Sequence, residues 1–106
     1  MTKMGNSPSK YAPSILQEDC SYCFLCGRRD RKLDRHEPFN ASNRQKSKEL
    51  GMWVMLCHEG CHQGTHGVHG NAELANELKR IAQKRAMEVY GWTTKDFIRE
   101  FGKNWL

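Results

Sequence analysis

Residues 52–62 read Met52-Trp53-Val54-Met55-Leu56-Cys57-His58-Glu59-Gly60-Cys61-His62. The apolar run from Met52 to Leu56, bounded by Gly51, suits a short buried strand, and it leads directly into Cys57-x3-Cys61. A second pair, Cys23-x2-Cys26, lies thirty residues upstream and is followed by Gly27, which tolerates the backbone angles of a tight turn. Two such turns can aim four sulfurs at one ion and complete a tetrahedron. Cys23, Cys26, Cys57 and Cys61 are therefore expected to hold a structural zinc ion. The second pair is one residue longer than the usual spacing, so Cys57 with His62 is the alternative arrangement. Cys20 has no partner in this scheme.

The composition agrees with a metal-held fold. The chain has 106 residues, of which 38% are hydrophobic, so it fits one domain that is short of core material and gains from cross-linking. Five cysteines are an odd number, and five histidines crowd the same part of the chain. No export signal is evident in MTKMGNSPSKYAPS, so metal ligation is expected over disulfides. A redox reading of Cys23-x2-Cys26 would need a strand-helix-strand context, whereas Arg, Asp and Gly follow it here. Structural zinc contributes on the order of 10 kcal/mol in small modules, enough to offset a thin core. No apolar run approaches the length of a membrane span. The expected setting is the cytoplasm, with no membrane contact.

Around this centre, residues 1–14 read as a flexible tail of Lys, Ser, Pro, Gly and Asn without apolar periodicity. Residues 15–106 form the expected single domain, with a zinc-bound core over 15–70 and a helical extension over 71–106. Asn71 can cap a helix, and Leu74, Leu78, Ile81, Ala82 and Val89 recur at three- and four-residue steps up to Tyr90 and Gly91, which predicts an amphipathic helix of about five turns. A second helix is expected to start after Thr93 or Thr94, bury Phe97, Ile98 and Phe101, and stop at Gly102. Trp92 and Trp105 are expected to pack around the pair.

Four cysteines would complete a zinc site without the histidines. His58 reads as a surface or hydrogen-bonded residue. His62, His66 and His69 fall within eight residues, a density that suggests a second, open metal site. Gly64, Gly67 and Gly70 argue against a continuous helix through them, so His62 pairs best with His69 across a glycine-bearing loop, with His66 third.

Net charge is +5, and residues 27–49 carry eight basic side chains against four acidic ones. A polyanionic partner becomes plausible; a solvated basic surface is the alternative.

The order Cys23-x2-Cys26, Leu33-Asp34-Arg35-His36-Glu37, Asn43-Arg44, Leu56-Cys57-x3-Cys61-His62 and Gly67-Val68-His69 resembles the HNH nuclease family, especially its small phage-encoded members. The likeness spans roughly residues 20–70, and the ending Phe101-Gly102-Lys103-Asn104-Trp105-Leu106 is similar to the helical tail of those proteins. The resemblance implies an α+β fold: a small zinc-stabilised ββα-metal, treble-clef-like core with a C-terminal helical extension. It implies a DNA endonuclease or nickase using one divalent ion. His36 then ends the first strand as the general base, Asn43 orients the loop, and His62 and His69 hold the ion, with His66 as a further imidazole. The family often carries a His-His or Asp-His pair, whereas Arg35 precedes His36 here. The other register makes His36 a ligand and puts Glu37 in the base position; with His36 as base, Glu37 or Asp34 could bind the ion or orient the imidazole.

Such chemistry needs positive charge against the phosphoryl oxygens and an accepting group for the proton of attacking water. The expected ion is Mg2+ or Mn2+, although imidazoles also accept zinc or nickel. Arg35, Arg44, Lys46 and Lys48 are the expected contacts to the DNA backbone. No recognition-helix signature is present, so weak sequence specificity, or direction by a phage or host nucleoprotein, is expected. An HNH-like zinc module that has lost cleavage but binds nucleic acid or a nucleoprotein is the alternative function, and a purely structural zinc domain is a third.

Overall fold

The computed structural model describes residues 11–64 and 66–106. Its elements run β1 (Leu33–His36), a short 3-10 turn (Ala41–Asn43), α1 (Arg44–Leu50), β2 (Val54–Cys57), a π-helical turn (His58–His62), α2 (Ala72–Tyr90) and α3 (Thr94–Phe101). This is a small α+β molecule around a two-stranded antiparallel sheet. Leu33 pairs with Cys57, Asp34 with Leu56, Arg35 with Met55 and His36 with Val54. That register sets the carboxylate and imidazole of β1 beside the turn that leaves β2.

The apolar run from Met52 to Leu56 behaves as expected: Met52, Val54 and Leu56 are fully buried. On the cysteine side, Cys23, Val54, Leu56, Cys57, Val68 and Leu78 form one core. A second, aromatic core gathers Phe39, Met52, Ala82, Ala86, Phe97 and Phe101. Helix α2 spans both, giving Leu78 to the first and Ala82 and Ala86 to the second. Its ends are where the sequence puts them. Asn71 accepts a hydrogen bond from the Leu74 amide, and Gly91 closes the helix in the left-handed conformation. Helix α3 opens on a reciprocal capping box between Thr93 and Asp96 and ends at Gly102.

The buried stripes are narrower than the periodicity suggests. Ile81 and Val89 on α2 and Ile98 on α3 are each about two-fifths exposed, while the buried positions are Leu78, Ala82, Gln83 and Ala86 on α2 and Phe97 and Phe101 on α3. Gln83 is fully buried although polar. Its amide donates to Asn104 Oδ1 at 2.8 Å, and its oxygen accepts from the Trp105 amide at 2.7 Å. The C-terminal residues are thereby tied to α2, with both Gln83 polar groups satisfied.

Helix α1 was not legible among the basic residues. Good helix formers fill Arg44–Leu50, and Ser47 is buried with its hydroxyl donating to Phe39 O at 2.6 Å. Of the expected tail, residues 1–10 lie outside the described residues. Residues 11–14 are bound to the domain: the Ala12 amide donates to Lys48 O, Trp53 Nε1 donates to Ala12 O, and Ser14 Oγ donates to Trp53 O. Among the described residues, no helix is long and apolar enough to cross a membrane.

Candidate metal centre

The four predicted cysteines converge, with all four sulfurs within 4.8 Å of one another. Sulfurs held at about 2.3 Å by tetrahedral zinc stand roughly 3.8 Å apart, and Cys26 Sγ lies 3.8 Å from Cys57 Sγ. Backbone amides point at the sulfurs: Cys26 N donates to Cys23 Sγ at 3.4 Å, and Cys61 N donates to Cys57 Sγ at 3.2 Å. Burial works to raise the Cys23 thiol, but hydrogen bonds from the Cys26, Cys57 and Leu25 backbone outweigh it and bring it to about 7. Cys61 is pushed strongly upward, by burial first and by the neighbouring thiols second. This cluster could bind a metal ion such as zinc, which takes thiolate ligands. Cys20 stays outside it, its thiol turned to Gln17 O.

The longer spacing of the second pair has a structural answer. Residues 58–62 wind as a π-turn, with the Gln63 amide bonded to His58 O at 2.9 Å. The wider turn absorbs the additional residue while both sulfurs still face the cluster. A Cβ on Gly60 would lie 3.0 Å from Cys57 Sγ, a close contact that the missing side chain avoids.

The same turn carries His62 toward β1. Alternation along the strand puts Asp34 and His36 on one face, and both meet His62. Asp34 Oδ2 lies 2.9 Å from His62 Nδ1 and 2.5 Å from His58 Nδ1. Partial burial works to raise the Asp34 carboxyl, but the two imidazole hydrogen bonds outweigh it and hold it below the usual carboxylate range. With a proton on Nδ1 for Asp34, His62 presents the lone pair of Nε2 on its other edge. That Nε2 lies 3.0 Å from His69 Nε2, a separation that requires a proton or a cation between two imidazole nitrogens. The His36 ring stands 5.3 Å from the His62 ring and 5.5 Å from the His69 ring, centroid to centroid.

Two ligand-competent groups result. His36, His62 and His69 form one; Asp34, His58 and His62 form the other, and within each the donor atoms lie within 4.8 Å. His36 is buried, and burial, followed by the charges of His62, His69 and Lys79, pushes its pKa down to about 4. His69 is brought back to His62 by the glycine-bearing loop, held where the Val68 amide bonds to Cys61 O at 2.8 Å. His66 is exposed and belongs to neither group. The Asp34–His58 pair is the part that sequence reasoning missed; the i+2 spacing of Asp34 and His36 on one strand face was the available signal.

Other predicted residues are engaged within the molecule. Glu37 is buried, accepts from Tyr11 Oη at 2.5 Å and pairs with Arg44 at 3.5 Å. Asn43 Nδ2 donates to Phe101 O at 3.3 Å, linking its loop to the end of α3. Arg35 is stacked on the Tyr11 and Trp53 rings, with its guanidinium carbon 4.3 and 4.9 Å from their centroids. Lys46 donates to Glu100 O and pairs with the Glu100 carboxylate at 3.4 Å. Lys48 is buried over the Tyr11 ring. Each of the four basic residues expected to contact DNA thus also has a partner within the molecule.

Comparison with known family models, curated proteins and solved structures gives no match for this chain.

Proposed function

We propose that the protein is a metal-dependent endonuclease that hydrolyses DNA phosphodiester bonds, built on a zinc-stabilised, HNH-like ββα-metal core. The single observation that carries this reading is the convergence of His36, His62 and His69 beside the four cysteines and separate from them. An inert zinc clasp has no use for three imidazoles gathered at the end of its sheet.

His62 and His69 are suited to hold the ion through Nε2, since Asp34 occupies Nδ1 of His62. Mn2+ or zinc suits imidazole ligands better than Mg2+, which prefers oxygen. When bound, such an ion supplies positive charge against the phosphoryl oxygens and acidifies the attacking water. His36, adjacent to both rings, would take the proton of the attacking water as its oxygen attacks phosphorus. The bond to the leaving oxygen then breaks, and the leaving oxygen takes a proton from solvent. The engagement of Glu37 by Tyr11 and Arg44 favours His36 over Glu37 as the acceptor. Asn43 holds the intervening loop against α3. The cysteine cluster is assigned to zinc as a structural ion.

Nicking of supercoiled plasmid with Mn2+ or Mg2+ tests the reading. His62→Ala and His36→Ala are each expected to reduce cleavage at least 100-fold, with Mn2+ binding lost only in His62→Ala. Loss of Mn2+ binding in His36→Ala would make His36 a ligand; cleavage unchanged in both variants would end the nuclease proposal.

A further inference from the structure

A cleft of about 470 Å³ opens beside the metal-competent histidines, lined by Arg31, Lys32, His58 and Glu59. Arg31 and Lys32 are exposed, on the approach to β1. Neither side chain has a hydrogen-bond, ion-pair or ring partner among the described residues, in contrast to Arg35, Arg44, Lys46 and Lys48. The wall between cleft and metal centre is fixed. His58 gives Nδ1 to the same Asp34 oxygen that holds His62, and the backbone amide of His58 donates to Lys32 O at 2.8 Å. The backbone of Lys32, at the start of β1, is thereby joined through His58 and the shared Asp34 carboxylate to His62 of the three-histidine cluster, with Arg31 next to it in the chain.

We propose that this cleft is a phosphate subsite. Arg31 and Lys32 bind a backbone phosphate of a DNA strand next to the phosphate at the three-histidine cluster, and the His58 ring forms the wall between the two. The inference rests on the nuclease reading for the identity of the strand. The guanidinium fork of Arg31 suits two phosphate oxygens, and the ammonium of Lys32 serves as a point charge. Glu59 at the same cleft opposes an anion, which keeps the subsite weak enough to release a cut strand. Recognition here is of the backbone alone and carries no base preference.

The test is binding of a fluorescent single-stranded DNA oligonucleotide to the zinc-loaded full chain across a salt series, with no other divalent ion added. The Arg31→Ala, Lys32→Ala double variant is expected to bind roughly tenfold more weakly at low salt, with the log-log salt slope smaller by about one. Glu59→Gln should tighten binding roughly threefold by removing a like charge. A control double variant, Lys84→Ala with Lys95→Ala, removes the same charge from exposed helix positions and should leave the slope unchanged. Equal losses in the two double variants, an unchanged slope in the first, or no salt-dependent binding by the parent would each overturn the subsite. Plasmid nicking separates this from failure of the nuclease reading. A parent that binds with the expected slope pattern but never nicks retains the subsite and loses the enzyme, whereas nicking with no slope change in Arg31→Ala, Lys32→Ala does the reverse.

Discussion

His62 uses both edges of its ring, and that determines what the proposed centre can do. Asp34 on Nδ1 sets the tautomer and aims Nε2 at His69, the arrangement by which carboxylates orient metal-ligating imidazoles. Asp34→Asn keeps the shape and removes the charge. It is expected to weaken Mn2+ binding about 10- to 100-fold in titration calorimetry while the melting temperature stays close to that of the parent; undiminished affinity would leave Asp34 without a positioning role. The pairing of His62 with His69 was readable, because glycines at 64, 67 and 70 disfavour a continuous helix and suit a return loop. Asp34 was readable as a candidate to orient an imidazole, but its sharing between His58 and His62 was not, since these partners are 24 and 28 residues away in the chain and meet only through the strand register. The basic residues differ in a way the sequence does not display: a count of charge cannot distinguish Arg35 stacked on two rings from Arg31, which has no side-chain partner among the described residues.

At the level of elements, the π-turn after β2 does two jobs. It lets Cys57-x3-Cys61 close on one cluster, and it presents His58 and His62 together to Asp34. The loop that follows depends on backbone contact at Gly67, where a Cβ would stand 2.7 Å from both the Cys61 and Gly60 carbonyl oxygens. Gly67→Ala is therefore expected to cost about 1–3 kcal/mol and to displace His69. Chemical denaturation and Mn2+ titration would record both effects, and a variant with parental stability and metal affinity would refute the packing argument. The ends of helices α2 and α3 were legible to within a residue, because Asn71, Gly91, Thr93 and Gly102 act locally. Helix α1 was hidden, because its buried positions, Ser47 and Lys48, do not make an apolar stripe.

For the whole molecule, the two small cores meet along α2, and the cysteine cluster anchors the first of them. With so little apolar material, a structural ion contributing on the order of 10 kcal/mol would be as large as the whole stability of a typical domain. Chelation of zinc, or Cys26→Ser, is accordingly expected to abolish the cooperative thermal transition seen by circular dichroism; a well-folded, zinc-free Cys26→Ser protein would sink the structural-metal assignment. Sequence alone picked out the four cysteines that cluster, the buried apolar run that carries β2 at Val54–Cys57 and the approximate helical ends, because spacing, apolar runs and caps act over a few residues. Tertiary structure alone decided which histidines share a carboxylate, which cations are spent on internal rings and carboxylates, and which ones line an open cleft. Those outcomes depend on strand register and on side chains brought together from distant segments, and no local pattern encodes them.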